Sequence, residues 1–484
     1  MTSSKIEGRE HGSKSSRVLI SRDIGRDIGR GVAILAGALF MTWPAVLNRY
    51  PLLYPDSMTY LGDGRLVARA LFLHKLSDYY GMRSFIYSLG ILPWHWNVTP
   101  WPIVAFQAFL TAYVIWLAVR SIRWRNTASS YLVLVLLLSL LTSMSWFVCL
   151  IMPDILGPLL YLCIYLVVFA PETLSRGEHL TVAVIAWWAV ASHATHLMLA
   201  AGLCVLLVLL LVLRFRFMRR RRWRAVGEAG MVVLLAAASQ LALHNYLYGV
   251  PSLNGARPPF LMARVIADGP GLWYLEQHCG EVKFVLCDHL GDLPESPDDF
   301  LWGANGIWQN ADEATEKRLR EEEMPFVLAT LRAYPLAQLS KSAANFWQQL
   351  QAFGLNLFGP NDWALEEFAS VLLGERDRYL QSRQQREALP LEFFTSVQNW
   401  TVGTALVVIG AFTPRLWRRR PARLIGLGVV IVPTVIANAL VTGALSMVED
   451  RLQSRVIWLV PLLAGLFVLD WFNHQENAEH GMSD

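Results

Sequence analysis

The sequence predicts an all-α polytopic membrane protein with about ten spanning helices, carrying one mostly helical extracytoplasmic domain inserted before the last few spans. Three observations lead there. Hydrophobic residues make up 54% and charged residues 17% of the 484 residues, too apolar for a soluble chain of this length. The apolar residues fall in blocks long enough to cross a hydrocarbon core, which takes about 20 residues of helix. Arginine and lysine concentrate in alternate short loops, as the positive-inside rule requires. The blocks are continuous runs of Leu, Val and Ala without alternation, so they are helices and not barrel strands.

Residues 1–30 read as a basic cytoplasmic tail, with Lys5, Arg9, Lys14, Arg17, Arg22, Arg26 and Arg30. No small-residue cleavage site follows the first span, so it reads as a retained anchor. The N-terminal membrane region, 31–247, holds spans near 31–49, 102–119, 131–150, 155–170, 180–194, 197–213 and 229–247. The C-terminal one, 397–472, holds 397–413, 424–444 and 456–472, before a cytoplasmic tail at 473–484. The apolar block at 84–96 reads as interfacial because of Pro93, Trp94, His95 and Trp96. Met152-Pro153-Asp154 and Ser192 to His196 each split a longer apolar block into two spans; the alternative is one kinked or tilted helix per block.

Basic clusters follow the second span (Arg120, Arg123, Arg125), the sixth (Arg214, Arg216, Arg219 to Arg222, Arg224) and the eighth (Arg415, Arg418 to Arg420, Arg423). With about ten spans they share the cytoplasmic side with both termini. Topology and anionic headgroups account for these arginines, so membrane lipids are expected partners and nucleic acid is not. Three stretches then face outward: 50–101, the region 248–396, and the turn at 445–455.

The 248–396 region is acidic, with a helical segment at 312–333 and an amphipathic one at 335–353 bearing Leu336, Leu339, Phe346, Trp347 and Leu350. Those side chains rest on the bilayer surface or form the domain's own core, and the core is the favoured expectation. Cys279 and Cys287 flank a short apolar segment on the side where a disulfide can persist. Cys149, Cys163 and Cys204 lie in spans. Without a CxxC or His/Cys cluster no cofactor is indicated, and a divalent metal stays open.

Directly after the first span comes Tyr54-Pro55-Asp56-Ser57-Met58-Thr59-Tyr60-Leu61-Gly62-Asp63-Gly64. A carboxylate fixed at that height can take a proton from a hydroxyl approaching from the aqueous side. Asp56 is the first candidate base and Asp63 or Asp154 the second. The plainer reading makes Asp56 a cap for a short helix starting at Ser57. Asp154, His193, His196, Glu449, Asp450, Arg451 and Arg455 should reach the same membrane level, and ionisable groups there are costly unless they have a function.

Such a set suits transfer of a sugar from a polyprenyl-phosphate donor to a glycan, lipid or protein acceptor. The leaving phosphate needs forked or cationic donors, for which Arg451, Arg455, His193 and His196 are candidates. Most of the rate would come from stabilising charge that develops on that phosphate. Pro55-Asp56-Ser57 with Tyr60, Asp154 in Met-Pro-Asp, and Asp450 to Arg455 running into Trp458-Leu459-Val460-Pro461 resemble the GT-C superfamily of membrane glycosyltransferases. That group includes protein mannosyltransferases and the aminoarabinose transferase of lipid A. The resemblance implies Asp56 as base, Asp154 holding the acceptor or a metal, Tyr60 at the substrate, and Arg451 or Arg455 on the carrier phosphate. It covers the membrane part and not 248–396, which here precedes the final spans where many members carry a large outer domain last. Two other classes remain open: a transporter or flippase of lipid-linked glycans, and a non-catalytic subunit of an envelope-assembly complex.

Overall fold

The computed structural model describes residues 28–77, 83–123, 127–215, 217–218, 222–253, 257–419 and 421–480. The arginines and lysines expected in the tail before residue 28, and Arg125, Arg216, Arg219 to Arg221 and Arg420, lie outside them. Among the described residues the chain is helical throughout and forms no strand, only one isolated parallel bridge between Leu52 and Leu150. Six helices are long and apolar enough to cross a membrane: Ile28–Asn48, Trp101–Ile122, Ala194–Val212, Arg222–Tyr248, Ala422–Leu445 and Asp450–Phe472. The chain is thus a multi-pass helical membrane protein.

The other four expected spans are helices of a different kind. Thr127–Leu141 and Pro153–Phe169 are apolar but short, Arg176–Ala191 has 16 residues, and Leu391–Arg419 carries Gln398, Asn399 and a basic last turn. The 131–170 block breaks twice, not once. Its middle forms a separate short helix, Met144–Cys149, after which Leu150 and Ile151 leave helical geometry. They do so because the first loop pairs with them: Leu52 N–H donates to Cys149 O at 3.0 Å and Ile151 N–H donates to Leu52 O at 3.0 Å. Pro153 then opens the next helix, where its missing N–H is no loss.

Arginines from four basic segments gather around residues 168–178. Glu178 takes Arg30 at 2.6 Å and Arg120 at 2.8 Å, and Glu172 takes Arg423 at 2.9 Å. Arg222 donates to Val168 O at 2.6 Å, in the last turn of Pro153–Phe169. The molecule therefore has one arginine-rich end, and Asp56, Asp154, His193 and Arg451 lie at the other.

At that other end the helix after the first span is neither short nor begun at Ser57. It runs Pro55–Leu73, with Tyr54 as its N-cap and the Ser57 hydroxyl accepting from Tyr54 N–H at 2.9 Å. It packs face to face on Phe85–His95, and a Cβ on Gly64 would stand 2.5 Å from the Ser88 carbonyl oxygen. Phe85–His95 buries Phe85, Tyr87, Ile91 and His95 while Trp94 and Trp96 stay exposed.

Region 248–396 contributes to two cores. Helices Phe260–Ala267, Pro270–His278 and Glu313–Ala333 close around Met262, Leu275, Phe300, Leu319 and Phe326, with Cys279 and Cys287 joined as a disulfide. Farther along, Leu355, Phe358, Phe368, Leu372 and Tyr379 join the main core of the membrane region. Gln384 fixes that part to the first loop, donating to Leu53 O at 2.6 Å and accepting from Leu53 N–H at 3.1 Å. Between the two, Pro335–Gln351 packs inside out. Gln338, Asn345 and Gln349 are buried, whereas Leu336, Leu339 and Trp347 are exposed, so these three do not form the domain's core. The helix Ala422–Leu445 takes the polar face, with Gly443 close enough that a Cβ would lie 2.7 Å from Asn345 O.

The helix contact at Gly64 gives a direct check. Gly64→Ala forces a methyl against backbone and should cost ~1–3 kcal/mol, read as a lower melting temperature in detergent. Gly62→Ala, whose nearest neighbour would be Val371 Cγ2 at 3.4 Å, should leave it nearly unchanged.

Candidate active site

Asp56 sits in the first turn of Pro55–Leu73, where unpaired backbone N–H groups favour a negative charge. It does not cap the helix. Its Oδ1 accepts from Arg83 Nη2 at 2.5 Å, and the Arg83 guanidinium lies 5.9 Å from the centre of the Trp302 ring. Arg83 so ties the candidate base to the region 248–396 through Trp302. Sequence reasoning missed Arg83 because nothing in the local pattern around residue 83 marks a partner 27 residues earlier.

Asp154 is completely buried and takes two guanidiniums. Arg451 approaches two-pronged, Nε to Oδ1 and Nη2 to Oδ2, both at 3.2 Å; Arg455 Nη1 reaches Oδ1 at 3.5 Å. Arg455 Nη2 also donates to Asn438 Oδ1 at 3.1 Å, and Asn438 Nδ2 in turn holds Leu452 O and Gln453 Oε1. The face of Arg451 lies 4.2 Å from the centre of the Tyr54 ring. Asp154 is thus shared by two buried guanidiniums, and Asp56 and Glu449 also act on Arg451.

Two further sets frame this cluster. Tyr54 Oη donates to Glu449 Oε1 at 3.0 Å, and Gln349 clasps the Glu449 backbone through its side-chain amide, donating to the carbonyl and accepting from the N–H, each at 2.9 Å. Burial raises the Glu449 carboxyl above its usual range, partly offset by Arg451. On the other side His193 caps Ala194–Val212, accepting from Thr195 N–H at 3.2 Å, and its ring centre lies 5.2 Å from that of His196. His196 Nδ1 donates to Ala189 O at 2.9 Å, which fixes the ring. Gly157, one turn beyond Asp154, makes room for it: a Cβ there would meet His196 Nε2 at 2.9 Å.

The structure thus brings together Asp56, Asp154, His193, His196, Arg451 and Arg455, with Tyr54, Arg83, Glu449 and Asn438 added. Tyr60 is buried one turn beyond Asp56, edge-on to Tyr87 at 4.9 Å, whose hydroxyl donates to Gln107. Asp63 is buried two turns farther along, about 10 Å from Asp56 along the axis. Among the described residues no three His, Cys, Asp or Glu side chains converge as metal ligands would. A search of family models, of curated proteins and of solved structures finds no match for this chain.

Two measurements probe the cluster. Asp154→Asn leaves two guanidiniums buried without their counter-charge and should destabilise by ~3–5 kcal/mol, while Asp154→Leu combined with Arg451→Met should lose less than the two single changes summed. Thermal unfolding in detergent reads both. The raised Glu449 carboxyl holds its proton more tightly in the folded state than in the unfolded one. Its contribution is full below the ordinary carboxylate pKa and is lost as pH rises from that value through the raised one. Wild type should therefore lose stability with rising pH over that window, and Glu449→Gln should flatten the slope.

Proposed function

We propose that this chain is a membrane glycosyltransferase, resembling the GT-C superfamily, that moves a sugar from a polyprenyl-phosphate carrier to an acceptor on the outer face of the cytoplasmic membrane. One observation carries the reading: two buried guanidiniums, Arg451 and Arg455, converge on one carboxylate beside Asp56, an array of forked donors of the kind that binds a phosphate. A lipid phosphate docked at this depth would meet the guanidiniums with the forked geometry they already offer Asp154.

The chemistry then follows from positions. The acceptor hydroxyl gives its proton to Asp56 Oδ2, Oδ1 being held by Arg83. The acceptor oxygen bonds to the anomeric carbon as the bond from that carbon to the phosphate oxygen breaks. The carrier phosphate leaves with the bonding electron pair, and Arg451 and Arg455 stabilise its growing charge. Asp154 keeps both guanidiniums aimed.

We also propose ten spans with both termini cytoplasmic. Arginines of four basic segments meet around residues 168–178, and Asp56, Asp154 and Arg451 lie at the far ends of the helices that lead from there. That gathering favours an even number of passes between basic clusters.

Asp56→Asn and Asp56→Ala, inserted normally in the membrane, should lower sugar transfer from polyprenyl-phosphate donors by ~10²–10⁴-fold. Full activity in both variants would remove Asp56 as the base. If wild type transfers from no donor yet moves lipid-linked glycans across the bilayer, the protein is a transporter instead.

A further inference from the structure

The polar face of Pro335–Gln351 is engaged through its side-chain amide nitrogens. Gln338 Nε2 donates to Asp268 Oδ2 at 2.6 Å, and Asn345 Nδ2 donates to Asp268 Oδ1 at 2.9 Å, where Arg264 also binds. Gln349 holds Glu449. On the opposite face Leu336, Leu339 and Trp347, spaced three and then eight residues apart on one helical stripe, are 80%, 66% and 61% exposed. A helix bathed in water buries its apolar stripe and leaves Gln and Asn outside. This one does the reverse.

Two independent features say what covers the stripe. First, Pro335–Gln351 packs along most of its length on the spanning helix Ala422–Leu445, whose own exposed residues, Ile436 and Leu440 among them, are apolar. The stripe continues the lipid-facing belt of a membrane span. Second, the preceding helix changes character at its midpoint. Its first half is charged, with Lys317 paired to Glu321 and Arg318 to Glu322, while Met324, Leu328 and Leu331 are exposed on its second half. The exposed apolar residues thus begin at Met324 and continue to Trp347, with Arg332 and Lys341 as the exposed charges between them.

We infer that the segment from Met324 to Trp347 is immersed in the leaflet on the Asp56 side of the membrane, with acyl chains as its partner. The depth order is fixed by the packing. Asn345 lies on Gly443 and Gln349 on Glu449, at the Asp56-side end of Ala422–Leu445, so Pro335 lies deeper than Gln351. The buried Arg264–Asp268 pair then sits at the level of the acyl chains, which is tolerable because Gln338 and Asn345 complete its hydrogen bonding. The immersed helix also carries Gln349, which holds Glu449 beside Arg451. Lipid packing is in this way mechanically joined to the candidate site. The inference rests on the membrane reading alone and stands whether or not the protein transfers sugar.

The test uses the full chain in lipid nanodiscs, with Cys204→Ser as background and single labels at Leu336→Cys, Leu339→Cys, Trp347→Cys and, as the aqueous reference, Lys317→Cys. An environment-sensitive fluorophore at the first three positions should emit to the blue of the reference and lose intensity when nitroxide-bearing lipids are added. Nitroxide near the acyl-chain end should quench position 336 more than position 347, and nitroxide near the headgroup should do the opposite. Quenching of all positions by aqueous iodide, without lipid quenching, overturns the inference. Protection from both quenchers overturns it too, since a protein surface, such as a second copy of the chain, would then cover the stripe.

Discussion

Asp154 depends on Arg451 and Arg455, and much else depends on the three together. A carboxylate with no water around it must be neutralised, and a single monodentate partner at this depth would leave lone pairs unmet. Two guanidiniums on one turn of the Asp450–Ile457 helix meet them, and in doing so they fix that helix against the start of Pro153–Phe169. The rest of the end follows. Arg455 brings in Asn438 from Ala422–Leu445, and Arg451 brings in the Tyr54 ring from the first loop. Ser143 donates to Ser454 O at 2.6 Å and Ser454 to Gly354 O at 2.7 Å, so the chain segments around residues 143, 354 and 454 close over the same point.

The polar clasp also explains why apolar elements here are interrupted. Membrane helices end early only where something else satisfies their backbone. At Leu150 and Ile151 the first loop supplies it, through Leu52; at Phe353 and Ser143 the Gln398 side chain supplies it, donating to one and accepting from the other at 2.5 Å each. Gln384 and Asn48 do the same for the chain at Leu53 and Tyr50. Each interruption brings an ionisable or amide side chain to the Asp56 end. The arginine-rich end shows the converse design, with pairs such as Arg120 and Glu178 at the mouth of the bundle where water and headgroups share the cost of charge.

The helices of the membrane region were legible in the sequence because hydropathy and basic-loop placement are local signals. Ala422–Leu445 and Trp101–Ile122 stand within a few residues of where their apolar runs put them. Convergence of Asp56, Asp154, Arg451 and Arg455 was legible for a related reason: each occupies a turn at the same end of a span. What the sequence could not carry was pairing across long separations. Asp154 and Arg451 lie 297 residues apart and Gln384 and Leu53 lie 331 apart, with no local pattern at either position. The amphipathic period of 335–351 was readable too, but period alone does not say which face is buried. That is decided by whether the surroundings are water or another helix with matching polar groups, and here Asp268, Gly443 and Glu449 decide it.

The central claim is that the cluster of Arg451, Arg455 and Asp154 receives the phosphate of a lipid carrier. The most direct measurement is the thermal stability of the purified protein titrated with a short-chain polyprenyl phosphate, with the uncharged polyprenol as control. The phosphate should stabilise the protein by about 2.7 kcal/mol at a hundredfold excess over its dissociation constant. Polyprenol should do little, and Arg451→Met should abolish the difference between the two. Equal stabilisation by both lipids, or a phosphate effect that survives Arg451→Met, would contradict the account.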